Sequence, residues 1–183
     1  MSLRAFGFLT AIVALVACND TNTPTPRGEP SPADSADQIM FGVRLDVTDA
    51  GVRRSAVRAD TAYMYGDNTR TEMRQVHATF FTPTGTQDGV LTALQGTYDT
   101  RLGNMEARGN VVVTATDGRK LESPHLKYDP ARNEISSDSS FVVTETTGRQ
   151  TSGIGFTSDP DLRNMRIIRN AQVRGADVPI PRR

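Results

Sequence analysis

The 183-residue chain contains no tryptophan, one cysteine and two histidines, and its 21 basic side chains balance 21 acidic ones. Each shortage removes a class of explanation. A lone cysteine, Cys18, forbids an intrachain disulfide, so oxidation has no structural part. His77 and His125 stand far apart with no cysteine to join them, which leaves no closed set of zinc ligands. Balanced charge argues against a nucleic-acid groove and against a basic membrane patch. Past residue 40 no segment carries a 3.6-residue apolar period of helical length. There is no Gly-x-Ser-x-Gly elbow. Ser152-Gly153-Ile154-Gly155 is followed by neither a helix nor a Lys-Ser/Thr pair, so the nucleophile and phosphate-loop readings both fall away. The carboxylates are scattered through turns and outward positions. A non-enzymatic protein with no catalytic residues, no metal site and no cofactor is the expectation.

What the chain has instead is a segment written twice. Tyr98-Asp99 recurs as Tyr128-Asp129, Met105 as Ile135, Val111-Val112-Val113-Thr114 as Phe141-Val142-Val143-Thr144, and Gly118-Arg119 as Gly148-Arg149, all at a spacing of 30 residues. A third copy fades through Met165, Ala171 and Val173. Fixed self-similarity means one supersecondary unit, repeated and stacked, with an apolar face that no copy buries alone. Within the unit the apolar residues alternate: Met105, Ala107, Gly109, Val111 and Val113 point one way, Glu106, Arg108, Asn110 and Thr114 the other. This is the period of a half-buried strand. Thr116-Asp117-Gly118 and Thr146-Thr147-Gly148 supply the turns, so each unit reads as a two-stranded hairpin.

The rest follows the same rule. Residues 1–17 read as an export signal: Arg4 opens it, and the apolar run Ala5 to Val16 is too short to span a bilayer. Leu15-Val16-Ala17-Cys18 resembles the lipobox of bacterial lipoproteins, in which the cysteine is lipidated; an ordinary secretory signal that carries a cysteine is the alternative. Residues 18–38, rich in Pro and Thr, form an extended tether. Residues 39–175 form the domain, and 176–183 a frayed tail. Ile39, Phe41, Val43, Leu45 and Val47 alternate on a first strand. Val52 to Tyr65 makes one long or broken strand, and Thr69 to Phe81 another, with a parity slip near Met73 that predicts a bulge. Val90 to Tyr98 leads into the repeat, and Leu162 to Val173 is a last strand with Met165, Ile167, Ala171 and Val173 inward. Its arginines, Arg163, Arg166, Arg169 and Arg174, suit an exposed edge.

Glu106-Ala107-Arg108-Gly109-Asn110-Val111-Val112-Val113, then Asp117-Gly118-Arg119-Lys120-Leu121 and Leu126-Lys127-Tyr128-Asp129, resemble the repeat of the lipopolysaccharide-transport β-jellyroll family, over roughly residues 40 to 175. An anchored N-terminus and a single jellyroll look most like its LptC-type members. These carry an N-terminal transmembrane helix, where this chain has a lipobox-like cysteine. The resemblance implies an all-β fold: a V-shaped antiparallel two-sheet β-jellyroll built from ~30-residue hairpin repeats, with an apolar trough for the acyl chains of lipopolysaccharide. Trough-facing residues would be Phe41, Val43, Leu45, Met105, Val111, Val113, Ile135, Phe141, Val143, Met165 and Ile167. The protein would take lipopolysaccharide from an inner-membrane ATP-driven (ABC) transporter and hand it to a bridging jellyroll joined by edge-strand addition. It would sit at the periplasmic face of the inner membrane on its lipid anchor, the outer-membrane inner leaflet being the other possibility.

The same inward residues would equally serve a closed sandwich core, since any two-layer fold needs one. Small or polar inward positions (Ala107, Gly109, Ser137, Ser139, Gly153) suggest a thinly filled interior and favour the trough. A structural envelope lipoprotein with a closed β core and no lipid ligand, and an outer-membrane-side jellyroll of the same pathway, remain the alternatives.

Overall fold

A computed structural model describes residues 32–66 and 69–175. The export signal, Cys18, most of the tether, Asp67-Asn68 and the tail from 176 lie outside the described residues. After a single helical turn at Pro32–Ser35, nine strands follow: β1 Gln38–Asp49, β2 Val52–Tyr65, β3 Arg70–Phe81, β4 Gln87–Asp99, β5 Met105–Ala115, β6 Lys120–Asp129, β7 Glu134–Thr144, β8 Gln150–Ser158 and β9 Arg166–Arg174. They form one antiparallel meander in chain order, each strand bonded to the next. Gly118 and Gly148 close the repeated hairpins with φ of +88° and +82°, the left-handed backbone that tight turns require and that glycine adopts without a Cβ clash. The all-β jellyroll that the resemblance implies is found, but in place of two separate sheets its layers are two limbs of one continuous nine-stranded ladder.

A crease divides the limbs. Along a strand buried side chains recur every second residue, yet in every strand from β2 to β8 this count breaks once, near the middle. The buried series steps from Ala59 to Ala62 in β2, Met73 to Val76 in β3, Ala93 to Gly96 in β4 and Ser123 to Leu126 in β6. In β8 Gly153, Gly155 and Phe156 are all buried, so the count slips between Gly155 and Phe156, and in β5 and β7 the step is four residues, Ala107 to Val111 and Ser137 to Phe141. Register irregularities between β4 and β9 coincide with these steps. Gln75, Gly109, Asn110, Gly155 and Asn170, all with positive φ, mark the same line. An extra residue bends a strand and raises its local twist, so bulges in successive strands fold the whole sheet. Serines satisfy the carbonyls this frees: Ser123 and Ser137 both donate to the His125 carbonyl, at 2.9 and 2.7 Å, and Ser123 also to that of Ser140 at 3.1 Å. Left unpaired and buried, such a group would cost about 1–3 kcal/mol.

Folding lays the upper limb of later strands over the lower limb of earlier ones. Met105 at the start of β5 reaches Ser55 at the start of β2 (Oγ to Sδ 3.8 Å). The Tyr128 ring, late in β6, packs on Phe80, late in β3, with centroids 4.5 Å apart. Between the limbs lies the apolar core, including Val57, Met73, Phe80, Leu91, Val113, Leu121, Leu126, Ile135 and Phe156.

Candidate functional site: the slot between the limbs

Two inward rows line the slot. In the lower limb, register aligns Leu45, Val57, Ala78, Leu91, Val113, Leu121, Val143, Thr151 and Val173 across all nine strands. In the upper limb, Met40, Ala62, Met73, Gly96, Ala107 and Leu126 align across the first six, and Ser137, Phe156 and Ile167 across the last three. Of the residues expected to face a trough, Met105, Val111, Val113, Ile135, Phe141 and Val143 are buried in the core, while Val43, Leu45, Met165 and Ile167 are half-buried against it. Phe41 departs from the expectation. Gly42, at φ +60°, slips β1 so that Met40 pairs with buried Ala62 and Val43 with Ala59. Phe41 falls at the crease between them and is 79% exposed. The last strand also begins later than expected. Leu162 belongs to the loop before β9, at φ +60° and 3% exposed.

The slot is shut. One residual space between the limbs, walled by Met73, Phe80, Leu91, Met105, Leu126 and Tyr128 among others, measures about 20 Å³, little more than the ~10–15 Å³ that admits a single water and far short of an acyl chain. Small inward residues do not leave it thinly filled, because large neighbours close over them. A Cβ added at Gly153 would lie 2.7 Å from Ile167 Cγ2 and 3.0 Å from Phe141 Cε1, and one at Gly96 2.8 Å from Val76 Cγ2. Phe141 packs edge-on against Phe156 with centroids 4.9 Å apart. Gly109 and Ser139, expected inward, sit half-buried in the crease.

Opposite the crease the limbs meet along a polar seam that sequence reasoning missed. The Tyr128 hydroxyl donates to the Arg54 carbonyl at 3.3 Å, and burial pushes its pKa well above the usual phenol value. Asn133 Nδ2, in the β6–β7 turn, donates to Asp88 Oδ2 at 3.0 Å; Asp88 opens β4 in the other limb and is buried. Arg119, in the β5–β6 turn, is oriented by Asp117 (Nε to Oδ2 2.8 Å) and donates to the Leu162 carbonyl and, at 3.1 Å, to that of Asp161. Pro160 covers Gly89 so closely that a Cβ there would lie 2.5 Å from the Pro160 oxygen. Within the β8–β9 loop, burial and the neighbouring Asp159 raise the pKa of Asp161. Burial would raise that of Asp159 too, but hydrogen bonds from Asp161, Asn164 and Arg163 outweigh it and hold Asp159 low. The only advance signal of this seam was Gly-Arg at 118–119, which the repeat copies at 148–149 without the same contact: Arg149 pairs locally with Glu145.

His125 is largely buried at the crease, 3.4 Å from Glu106 and 3.8 Å from Asp138. Among the described residues no group of three His, Cys, Asp or Glu side chains is placed to hold a metal ion. Nor is any described helix long and apolar enough to cross a membrane.

The family described as Lipopolysaccharide-assembly, LptC-related, matches residues 8–176 of the chain. The chain belongs to the LptC-related family. Membership places this LptC-related chain in lipopolysaccharide transport. Among solved structures it is similar to the crystal structure of LptH, the LptA-homologous periplasmic component of the conserved lipopolysaccharide transport device from Pseudomonas aeruginosa. Identity is 19%, the TM-score is 0.48, and the alignment covers 70% of this chain and 89% of that one. A search of curated proteins returned no match.

Proposed function

We propose that the LptC-related chain is a carrier, not a catalyst: it holds the acyl chains of lipopolysaccharide between its two limbs while the sugars stay in water. One observation supports this above others. The inward rows do not end inside the domain but run to both sheet edges and surface there, with Met40 37% and Val173 59% exposed. A core that served stability alone would be closed over at its edges, because exposed apolar side chains forgo ~25 cal/mol per Å² of burial. An apolar surface that continues to an edge strand suits head-to-tail stacking, in which another jellyroll adds a strand to β1 or β9 through main-chain hydrogen bonds and extends the row.

On this reading the protein receives lipopolysaccharide from an inner-membrane ATP-driven transporter and passes it to a bridging jellyroll. Acylated Cys18 tethers it to the periplasmic face of the inner membrane, with residues 19–37 as a spacer. Stable anchoring takes two or more acyl chains. Hydrophobic contact is non-directional, which suits a cargo that must slide onward.

The second reading, a structural envelope lipoprotein with a closed core, is favoured by the residual 20 Å³ between the limbs. Site-specific photocrosslinkers at Val111 and Phe141 separate the two. Adducts to lipopolysaccharide are expected if the limbs admit acyl chains, and adducts to protein alone if the interior is permanently packed.

A further inference from the structure

The slot is bordered by two unlike seams. At the crease the limbs are joined covalently by each strand that crosses it, and separating them there would tear the ladder. Opposite, between strands that share no ladder bond, they are joined by a handful of polar contacts: Tyr128 to Arg54, Asn133 to Asp88, and Arg119 to the carbonyls of Asp161 and Leu162. The last contact has the form of a latch. Loop 159–164 is a self-supporting unit, since Asp159 accepts from the amides of Arg163 (2.8 Å) and Asn164 (3.2 Å) and from the Asn164 side chain. It presses Pro160 onto Gly89 and inserts Leu162 into the core. It holds Leu162 in left-handed backbone, which a non-glycine residue keeps only when its surroundings compel it. From the far limb a single arginine, part-exposed and so within reach of water, fastens the loop by two carbonyls.

We propose that the β8–β9 loop is the latch of the slot, fastened by Arg119, and that acyl chains enter sideways through this polar seam when Arg119 lets go. The inference rests on the slot being the acyl site. It differs from that reading in naming the route and the residue that controls it. A shut interior then ceases to be an objection: the closed form is the resting state, and hydrogen bonds to water replace those of the seam as it parts, whereas the crease has no such substitute.

The test uses the full chain with Cys18→Ser and lipopolysaccharide carrying a fluorophore on its sugar, followed by stopped-flow uptake. Arg119→Ala should speed uptake about tenfold, equivalent to ~1.4 kcal/mol. Arg119→Lys should fall between, since an ammonium cannot fork to two carbonyls as a guanidinium does. In an Asp88→Cys/Asn133→Cys pair bridged by dibromobimane, uptake should stop, and it should run in the unbridged pair. If the wild type takes up lipopolysaccharide but neither Arg119→Ala nor the bridge alters the rate, the latch is overturned and the slot stands. If neither the wild type nor Arg119→Ala takes up any, the slot reading is overturned and the latch with it.

Discussion

Gly153→Ala discriminates most sharply between a packed and an open interior. Gly153 lies on the inward face of β8 opposite Phe141, and the backbone there suits alanine, having no positive φ. In an open trough the new methyl would meet nothing, and the loss of glycine's unfolded-state freedom would stabilise the fold by ~0.4–1 kcal/mol. The structure demands the opposite. The methyl would stand 2.7 Å from Ile167 Cγ2, 3.0 Å from Phe141 Cε1 and 3.1 Å from the Arg169 carbonyl. Ile167 is β-branched and stiff at χ1, and the carbonyl belongs to the backbone, so neither yields by a simple rotamer change. Overpacking of this kind costs ~1–3 kcal/mol, and a mid-range loss of ~2 kcal/mol lowers Tm by roughly 6–10 °C in a domain of this size. Differential scanning calorimetry reads that shift, and amide exchange over β9 shows whether the strain is relieved by displacing the edge strand. Gly66→Ala, where an added Cβ meets nothing within 4 Å, is the control and should leave Tm within about 2 °C. A Tm for Gly153→Ala equal to or above the wild type would refute the packed interior.

Other expectations follow from the seam and the anchor. Tyr128→Phe removes a buried hydroxyl's bonds to the Arg54 carbonyl and to Asn133 and should cost ~1 kcal/mol in urea unfolding, with an unchanged m-value. Asn133→Ala strands the buried Asp88 carboxylate and should cost more, ~1–3 kcal/mol, by the same assay. Because the folded pKa of Asp161 is raised, its contribution is complete below the ordinary carboxylate range and is lost as pH rises through the folded value. Asp117 and Asp159, held low, contribute above that range and lose their share as pH falls. Asp161→Asn, which keeps an oxygen for the Arg163 amide and needs no proton to bond Asp159, should therefore remove the loss on the high-pH side while leaving the acid limb. Thermal melts across pH would show it, and parallel curves for variant and wild type would contradict it. Cys18→Ala should release the protein from the membrane fraction and abolish palmitate labelling.

The strands themselves and most inward positions within the repeat were legible because alternation and the 30-residue repeat are local signals, whereas Phe41, Ala171 and Val173, expected inward on the two edge strands, are exposed, and the single continuous sheet had no local signature. The crease was harder to see. In β5 and β7 its bulge adds two residues, so Met105–Ala107–Val111–Val113 keeps an unbroken odd parity and conceals the bend. In β6 and β8 it adds one, and Ser123–Leu126 and Gly155–Phe156 read as noise without a partner register. Only in β3 did the slip near Met73 show, where Gln75 takes φ +51°. Phe41 falls outside the slot for a related reason, since the positive φ of Gly42 breaks the alternation that would turn it inward. The seam was invisible because its partners lie 42 to 74 residues apart and several of them, Arg119, Asn133 and Asp161 among them, come from turns. Turn composition predicts a reversal of the chain, not what its side chains will reach.

Spin labels at Thr116 and Arg163, exposed positions flanking the Arg119 latch on opposite limbs, address the central claim most directly. Double electron–electron resonance between them should give one narrow distance in the free protein. On addition of lipopolysaccharide the distribution should lengthen and broaden, and the deacylated oligosaccharide should leave it unchanged. An identical distribution in all three samples, with lipopolysaccharide demonstrably bound, would contradict a slot that parts along its polar seam.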